Sequence, residues 1–262
     1  MSLSIITTVL DDEINIESCI ESVKIQNIKK NFEHIIVDGG SKDSTFKILK
    51  VLQKKNKYLK IFSKKKMNIY EGINFGITQA KYNHIGLLHS GDLYKNKNVL
   101  KNILKEFKKN PTIPAIYANV SIVSRTNPNN EIRFFKSKKL RWNDFIKGIH
   151  PPHTSLFLKK KIFQSHGLYN ESLKISSDFE FMLRVFGINK LETKYINKTL
   201  IVMRAGGTSN KNLFNIIKSN YEVYKAFKIN NLKINIIIIM MKIFRKLLQI
   251  NFNKLLNIKT LH

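Results

Sequence analysis

The chain has 262 residues, 43% of them hydrophobic, which is typical of one large α/β domain or one domain with an extension. This hydrophobic content excludes a globally disordered protein. The formal net charge of +28, from 46 Lys and Arg against 18 Asp and Glu, indicates an anionic partner such as nucleic acid, an acidic membrane surface or a phosphorylated substrate. Inflated Lys, Ile and Asn usage in an AT-rich genome is the alternative explanation for much of the lysine count.

Cysteine content and the N-terminus indicate the compartment. The single Cys19 excludes an internal disulfide and favours a reducing environment. It shares the apolar rhythm of a predicted helix with Ile16, Ile20 and Val23, so we interpret it as a core residue rather than a nucleophile. The first residues do not resemble a signal peptide, and no window reaches about 18 uninterrupted apolar residues. We therefore expect a cytoplasmic protein.

Strand and helix patterns alternate through the first 120 residues, which predicts a parallel sheet built from βαβ units. Asp11 or Asp12 is placed to cap the first helix. The predicted strands cover residues 3–9, 34–37, 58–62 and 85–88, and the predicted helices cover about 13–26, a stretch beginning after residue 43 or 44, 69–80 and 96–108.

The pattern changes after Pro111. Residues 115–123 and 131–135 are predicted antiparallel strands around an Asn/Pro turn at 127–130. An extended segment at 154–158, a helix at 178–186, a strand at 191–203 and a break at Gly206-Gly207 follow, with helix from residue 212 onward. The chain shows no internal repeat and no long flexible linker. We predict one domain at residues 1–210 and a basic, amphipathic helical extension at 211–262.

Ligands of an open parallel sheet bind at the carboxyl ends of its strands, where two acidic turns stand out. Asp38 begins the turn at residues 38–45, and its carboxylate suits the imide of a uracil or the hydroxyls of a ribose. Asp43, Ser44 and Thr45 in the same turn are interpreted as helix-capping residues. Asp92 follows the apolar strand at 85–88, and one carboxylate beside a diphosphate suits a hard divalent cation. A simple Ser-Gly-Asp turn is the alternative interpretation.

A third acidic position, Asp178, has two interpretations. It is either a helix N-cap or a carboxylate able to remove a proton from an attacking hydroxyl. Glu180 lies about 200° further round the predicted helix, so both carboxylates cannot face one substrate. His153 follows a Pro-Pro turn and is a weak candidate for a metal ligand, a phosphate donor or a plain loop residue.

Several motifs in order resemble family 2 glycosyltransferases of the GT-A fold, the inverting bacterial enzymes that build surface polysaccharides. The resemblance spans residues 3–209 and includes the first strand with Thr8. The other motifs are the Asp38-Gly39-Gly40-Ser41-Lys42-Asp43-Ser44-Thr45 turn, the stretch from Asn68 to Ile77, Ser90-Gly91-Asp92 in place of the D-x-D motif, His153-Thr154-Ser155-Leu156-Phe157, and Ser177-Asp178-Phe179-Glu180-Phe181.

The resemblance implies a Rossmann-like α/β fold with a mixed, mainly parallel sheet flanked by helices and followed by a helical C-terminal extension. It implies transfer of a sugar from a nucleotide-diphosphate donor, a UDP-sugar, to a hydroxyl of a glycan or lipid-linked acceptor with inversion. Asp178 would be the catalytic base, and Asp92, with His153 as a weak second ligand, would bind Mg²⁺ or Mn²⁺. The implied donor-binding residues are Thr8, Asp38, Gly39, Ser41, Asn74, Ser90, Gly91 and Asp92.

Two departures from the family pattern bear on these roles. Ser90 stands where the first Asp of D-x-D is expected, which leaves one motif carboxylate and admits a non-catalytic family member as an alternative. Glu71 replaces an Asp of the subgroup motif, which lengthens the reach of a donor contact. Specificity for sugar and acceptor is expected in the loops at 125–147 and 204–210.

The C-terminal tail has no acidic residue after Glu222, and residues 236–250 have the basic, amphipathic character of an interfacial helix. We predict peripheral binding to the inner face of the cell membrane, with packing on the catalytic domain or a homo-oligomer through these helices as alternatives. A nucleic-acid-binding protein is the rival from another class, but no helix-turn-helix, RRM or zinc pattern appears, so we predict no nucleic-acid partner. A nucleotidyltransferase and a dinucleotide-dependent oxidoreductase are disfavoured because the expected Gly-rich loops are missing.

Overall fold

The computed structural model describes residues 1–28, 30–206 and 213–233, and nine strands within these ranges form one mixed sheet. The strands are β1 (Leu3–Val9), β2 (Phe32–Asp38), β3 (Leu59–Ser63), β4 (His84–Leu87), β5 (Asp92–Tyr94), β6 (Ala115–Val123), β7 (Glu131–Phe135), β8 (Phe157–Lys159) and β9 (Thr193–Arg204).

Strand order across the sheet is β3-β2-β1-β4-β8-β6-β9-β5, with β7 paired to β6. The first four strands in this order are parallel, β8 runs antiparallel between β4 and β6, and β6 pairs with β9 in parallel. β5 and β7 are antiparallel additions to β9 and β6. This is the predicted α/β class with a Rossmann-like parallel half, and the parallel strands share one carboxyl edge.

Helices cover both faces of the sheet because successive side chains of a strand point to opposite sides. Ile6 of β1 belongs to the core cluster on one face, and its neighbour Ile5 belongs to the cluster on the other face. The helices are α1 (Ile16–Lys24), α2 (Thr45–Lys55), α3 (Ile69–Gln79), α4 (Val99–Lys109), α5 (Trp142–Ile146), α6 (Lys161–His166), α7 (Ser177–Met182) and α8 (Leu213–Ile229).

Some sequence predictions match the structure to the residue, and others need correction. β1, β6 and β7 have the predicted bounds, whereas β5, α5 and α6 were not predicted. The predicted extended segment at 154–158 begins as a 3₁₀ turn at His153–Ser155 and becomes strand only at β8. The predicted helix at 178–186 is α7, which continues as a π-helical segment at Leu183–Ile188.

The start of α1 also differs from the prediction. The helix begins at Ile16 after Asn15, and no side chain caps it. The Asp12 backbone carbonyl, not its carboxylate, accepts from the Asn15 and Ile16 N–H groups. The Asp11 carboxylate accepts from the Lys42 N–H instead. Neither aspartate caps the helix, and both carboxylates instead accept hydrogen bonds that hold the loop after β1 against neighbouring turns.

Helix α8 agrees with the helix predicted from residue 212 only as far as Ile229, because a turn at residues 230–231 ends it. The helix packs directly against the helices beside the sheet. Its Phe227 ring lies 5.6 Å from that of Phe179 in α7, and both belong to one core cluster. The domain boundary after residue 210 stays a prediction, and the predicted interfacial helix at 236–250 lies outside the described residues. Within the described part of the chain, no helix is long and apolar enough to cross a membrane.

Candidate functional site

The loop after β1 joins the two acidic turns that the sequence singled out. The Asp11 N–H donates to Ser41 Oγ at 3.0 Å, and the Glu13 N–H donates to the Asp43 carboxylate at 3.1 Å. From the other side, Ser90 Oγ donates to Asp12 Oδ2 at 2.6 Å. The turn after β2 and the turn after β4 are therefore held against one loop at the carboxyl edge of the sheet.

Asp38 has a structural role as well as its predicted donor role. Its carboxylate is 1% exposed and accepts hydrogen bonds from the Gly40 N–H, the Ser41 N–H and hydroxyl, and the Ser63 hydroxyl at 2.8 Å. Gly40 has a φ of +94°, which favours glycine in this tight turn. Asp38 thus shapes the turn from within, while the contact with the nucleotide base stays a prediction.

Asp92 is the buried carboxylate with spare hydrogen-bonding capacity. It is 3% exposed as the first residue of β5, and its Oδ2 has no hydrogen-bond partner among the described residues. Burial, with a smaller contribution from the nearby Asp12 carboxylate, raises the pKa of Asp92 to about 8 against the opposing effect of the Arg204 guanidinium. An unpaired carboxylate oxygen in such a place favours a bound proton or a cation.

The predicted metal site can be compared with the possible ligand atoms around Asp92. No group of three or more His, Cys, Asp and Glu side chains in the described ranges is arranged to hold a metal ion. The free Oδ2 of Asp92 nevertheless fits a hard divalent cation as one oxygen ligand. His153 as a second ligand stays a prediction, since its Nε2 lies 2.5 Å from His89 Nε2 but its Nδ1 has no partner among the described residues. A cation here would need most of its ligands from a bound diphosphate.

Asp178 lies at the start of α7 and faces the other sequence motifs. Its Oδ1 accepts from the Phe179 N–H at 2.8 Å and from the Tyr70 hydroxyl at 3.3 Å. Burial raises the pKa of Asp178, and the neighbouring His150 and His153 act in the opposite direction. The hydrogen bonds from Phe179 and Tyr70 lower the pKa further, so it lies below the ordinary value. Asp178 is therefore ionised at neutral pH and able to accept a proton.

Two histidines separate the Asp92 turn from Asp178. His89 and His153 are in contact through their Nε2 atoms, and burial lowers the pKa of both imidazoles, that of His89 to about 3. Both rings are therefore neutral at neutral pH, and one N–H is shared between them. His153 Nδ1 has no hydrogen-bond partner among the described residues. The pair links the turn after β4 to the segment that precedes β8.

The remaining predicted residues fall into two groups. Thr8, Gly39 and Gly91 lie on the open edge, and a Cβ added at Gly91 would meet no atom within 4 Å. Asn74 is buried instead, and its amide is engaged with the Tyr169 backbone and the Glu171 carboxylate. The geometry thus gives Asn74 a structural role and no support as a donor contact.

Contacts and burial explain three further residues that the sequence singled out. Glu71 forms a capping box with Asn68 at the start of α3 and lies 3.6 Å from Lys174, which explains why a glutamate suits this position. Glu180 is buried and paired with Arg184 at 2.8 Å, so it faces away from Asp178 as predicted. Cys19 is fully buried, and burial raises the pKa of its thiol, which confirms a packing role.

Sequence reasoning missed the side chains that act on these residues from a distance along the chain. Tyr70 and Asp178 are separated by 108 positions, and Arg204 donates to the Gly91 carbonyl over 113 positions. The sequence favours Asp12 as a helix cap, whereas in the structure its carboxylate accepts a hydrogen bond from Ser90. Only the acidic run after β1 could have suggested such a contact.

A mixed sheet with acidic turns at the carboxyl ends of its parallel strands defines a protein that binds its ligand in the crevice at that edge. Residues 4–165, more than half of the chain, match the family model described as "Glycosyl transferase family 2". The chain therefore belongs to glycosyl transferase family 2, and the predicted family is confirmed.

Curated relatives include bacterial glycan synthases. The chain is 26% identical over 215 residues to the chondroitin synthase of Pasteurella multocida, an alignment of 79% of this chain and 21% of that protein. It is 25% identical over 209 residues to the PGL/p-HBAD biosynthesis glycosyltransferase of Mycobacterium bovis, covering 79% and 78% of the two chains. The chain thus spans about a fifth of the Pasteurella synthase.

Solved structures share the fold. Staphylococcus aureus TarS 1-349 in complex with UDP-GlcNAc superposes with a TM-score of 0.68 at 17% identity, covering 87% of this chain and 66% of that one. The mannosyltransferase PcManGT from Pyrobaculum calidifontis, in complex with GDP-Man and Mn²⁺, gives a TM-score of 0.64 at 13% identity, with 92% and 69% covered. The predicted fold is confirmed by these neighbours.

Proposed function

We propose that this glycosyltransferase transfers a sugar from a nucleotide diphosphate donor, a UDP-sugar, to a hydroxyl of a glycan or lipid-linked acceptor with inversion. Family membership and the UDP-GlcNAc bound to TarS support the donor class. The similarity to a chondroitin synthase and to a PGL/p-HBAD biosynthesis glycosyltransferase supports an acceptor in surface polysaccharide assembly. The observation that supports catalysis most directly is the lowered pKa of Asp178, whose neighbour His153 contacts His89 in the turn that leads to Asp92.

The proposed reaction is one displacement at the anomeric carbon. The bond from that carbon to the diphosphate oxygen breaks as the bond to the acceptor oxygen forms, and the acceptor proton passes to Asp178. Because the pKa of Asp178 is lowered, the base needs no prior deprotonation at neutral pH. Thr8, Gly39, Ser41, Ser90 and Gly91 would line the donor pocket around the Asp38 turn.

A divalent cation, Mg²⁺ or Mn²⁺, is part of the proposal. Asp92 would bind it through Oδ2, the oxygen that has no partner in the described structure. The Mn²⁺ bound to PcManGT is in accord with this assignment. When bound, the cation neutralises negative charge on the departing diphosphate. Asp12, which is hydrogen-bonded to Ser90 and raises the pKa of Asp92, is an additional carboxylate at this place.

The test combines a donor screen with one variant. UDP-, GDP- and dTDP-sugars are compared with Mg²⁺ or Mn²⁺, following donor hydrolysis and thermal shift. Asp178→Asn is expected to reduce turnover by about 10²–10⁴-fold, the usual worth of a general base, while the donor-induced thermal shift is retained. Near-normal turnover of Asp178→Asn would remove the base assignment. A screen in which no donor binds would favour a non-catalytic family member.

The proposed cellular location rests on charge. A net charge of +28 suits a protein that works at the anionic inner face of the membrane on a lipid-linked acceptor. The tail at 236–250 that motivates this proposal lies outside the described residues.

A further inference from the structure

Beyond the proposed function, and resting on Asp178 as its base, we infer that Glu222 of α8 is the positioning residue for that base. Glu222 is 4% exposed and lies on the face of α8 that packs against the segment before α7. It comes from the part of the chain after the proposed domain boundary. It touches neither the donor turns nor Asp178 itself.

The Glu222 carboxylate accepts three consecutive backbone N–H groups. Oε1 accepts from the Lys174 N–H at 3.0 Å, and Oε2 accepts from the Ile175 and Ser176 N–H groups at 2.7 and 2.8 Å. Hydrogen bonds to an ionised acceptor are shorter and about twice as strong as neutral ones. These three bonds therefore fix the backbone that ends two residues before Asp178.

The same segment is held on its other side by groups that reach Asp178. The Tyr70 hydroxyl donates to the Ile175 carbonyl at 2.8 Å and to Asp178 Oδ1 at 3.3 Å. Both the N–H and the carbonyl of Ile175 are thus fixed, one by Glu222 and one by Tyr70. Ser176 Oγ adds a contact of 3.0 Å with Ser219 of α8.

No other capping side chain fixes the start of α7. Its N-cap, Ser176, makes no side-chain capping bond, and α7 has only six residues before the π-helical segment begins. Such a short helix is poorly able to define its own start. Contacts from α8 therefore determine where the Asp178 oxygens lie, and displacement of a catalytic group by about 1 Å costs up to about 10²-fold in rate.

The test compares Glu222→Gln with Val223→Ala. Glutamine keeps the shape but presents an N–H₂ group to at least one of the three donors. We expect kcat to fall about 10–100-fold with the donor KM changed less than about twofold. Val223 is buried in the same helix, and its apolar side chain cannot accept the N–H groups of residues 174–176, so Val223→Ala reports the effect of destabilising α8 without loss of those hydrogen bonds. Its kcat is expected to stay within about twofold of the unaltered enzyme.

Turnover is measured on the full chain with the donor hydrolysed fastest in the panel of UDP-, GDP- and dTDP-sugars, with Asp178→Asn in parallel. If Asp178→Asn has lost turnover but Glu222→Gln has the same kcat as Val223→Ala, the positioning role alone is overturned. An active Asp178→Asn would overturn the base assignment and this inference together. If Glu222→Gln fails to fold, Ser219→Ala is the weaker variant at the same contact, and an unchanged kcat there contradicts the inference.

Discussion

Asp92 is the residue whose burial is hardest to explain by folding alone. A carboxylate that is 3% exposed and has an unpartnered oxygen costs free energy whenever it is ionised. The pKa of about 8 means that the folded protein binds a proton there at neutral pH in the absence of another ligand. Asp92 thus lowers the free energy of unfolding of the ligand-free protein, and we expect ligand binding at this position to offset that loss.

Asp92→Asn is therefore expected to stabilise the protein while removing cation binding. A folded-state pKa raised above the unfolded value gives stability that is present below about pH 4 and is lost as pH rises through about 8. Asparagine does not titrate, so the variant does not lose this stability as pH rises. At pH 8 its melting temperature should exceed that of the unaltered protein by roughly 2–8 °C, which corresponds to about 1–2 kcal/mol in the free energy of unfolding.

The measurement is thermal unfolding from pH 5 to 9, without donor and then with donor and Mn²⁺. The difference between the two proteins should widen as pH rises, and only the unaltered protein should gain stability from Mn²⁺. A variant that is less stable at every pH would contradict the unpaired-carboxylate account.

His34 has the opposite pH dependence. It is fully buried in β2, its Nε2 lies 2.9 Å from Thr7 Oγ1, and burial lowers its pKa to about 3. Since the folded pKa is depressed, the stability from this neutral imidazole is present above about pH 6.5 and is lost as pH falls toward 3. The free energy of unfolding should fall by up to about 1.4 kcal/mol per pH unit in this window for each such histidine.

Urea unfolding at intervals between pH 7 and 4 measures this slope. His34→Gln should reduce the slope of the free energy of unfolding against pH by the equivalent of nearly one proton, because glutamine fills a similar space and does not titrate. An equal slope in the variant and the unaltered protein would assign the acid sensitivity to other groups, including the buried His89.

The individual acidic residues could be found from the sequence because each follows an apolar strand or opens a helix. Their partners could not, because a hydrogen bond such as that between Tyr70 and Asp178 joins positions 108 apart. The donor role of Asn74 followed from the family motif, whereas the structure engages its amide with Tyr169 and Glu171. Local pattern indicates which residues lie at the site, and tertiary packing decides what each one touches.

Among the elements, α3 and β1 pack unusually closely. A Cβ added to Gly76 would lie 2.4 Å from Ile6 Cγ2, and one added to Gly72 would lie 2.9 Å from Thr8 Cγ2. Both glycines lie on the helix face toward β1, where they permit this short separation. The approach brings α3, and with it Tyr70, near the carboxyl end of β1 where the site lies.

Gly76→Ala is expected to destabilise the fold by about 1–3 kcal/mol, because the added methyl must displace Ile6 or the helix. Gly91→Ala is the matched control for stability, since a Cβ there meets no atom within 4 Å. Chemical denaturation of the two variants gives the comparison. Equal stability of both variants would show that α3 can shift away from β1 without cost.

The elements that the sequence predicted well are those with a long periodic pattern. β1 and β6, with seven and nine residues, have the predicted bounds. β5, α5 and α6 have three, five and six residues, too few for a periodicity to emerge from the surrounding turns. β5 is also defined by its partner β9 rather than by its own composition.

At the scale of the whole molecule, the charge of +28 and the proposed membrane role can be tested together. The full chain is expected to sediment with vesicles containing anionic lipid, and residues 1–233 alone should sediment several-fold less, with binding weakened by salt. Ending the shorter chain after Lys233 keeps α8 intact, whereas an end near Ala226 would remove the buried Phe227. Equal sedimentation would instead place membrane affinity on the catalytic domain.

The pairing of β5 with β9 has a consequence for synthesis on the ribosome. Asp92, Leu93 and Tyr94 pair with Met203, Val202 and Ile201, so their strand partner is made more than 100 residues later. The first 165 residues, which contain the whole stretch matched by the family model, emerge without it. A nascent or prematurely terminated chain therefore lacks the strand that pairs with Asp92, and β5 can join the sheet only when translation has passed Arg204.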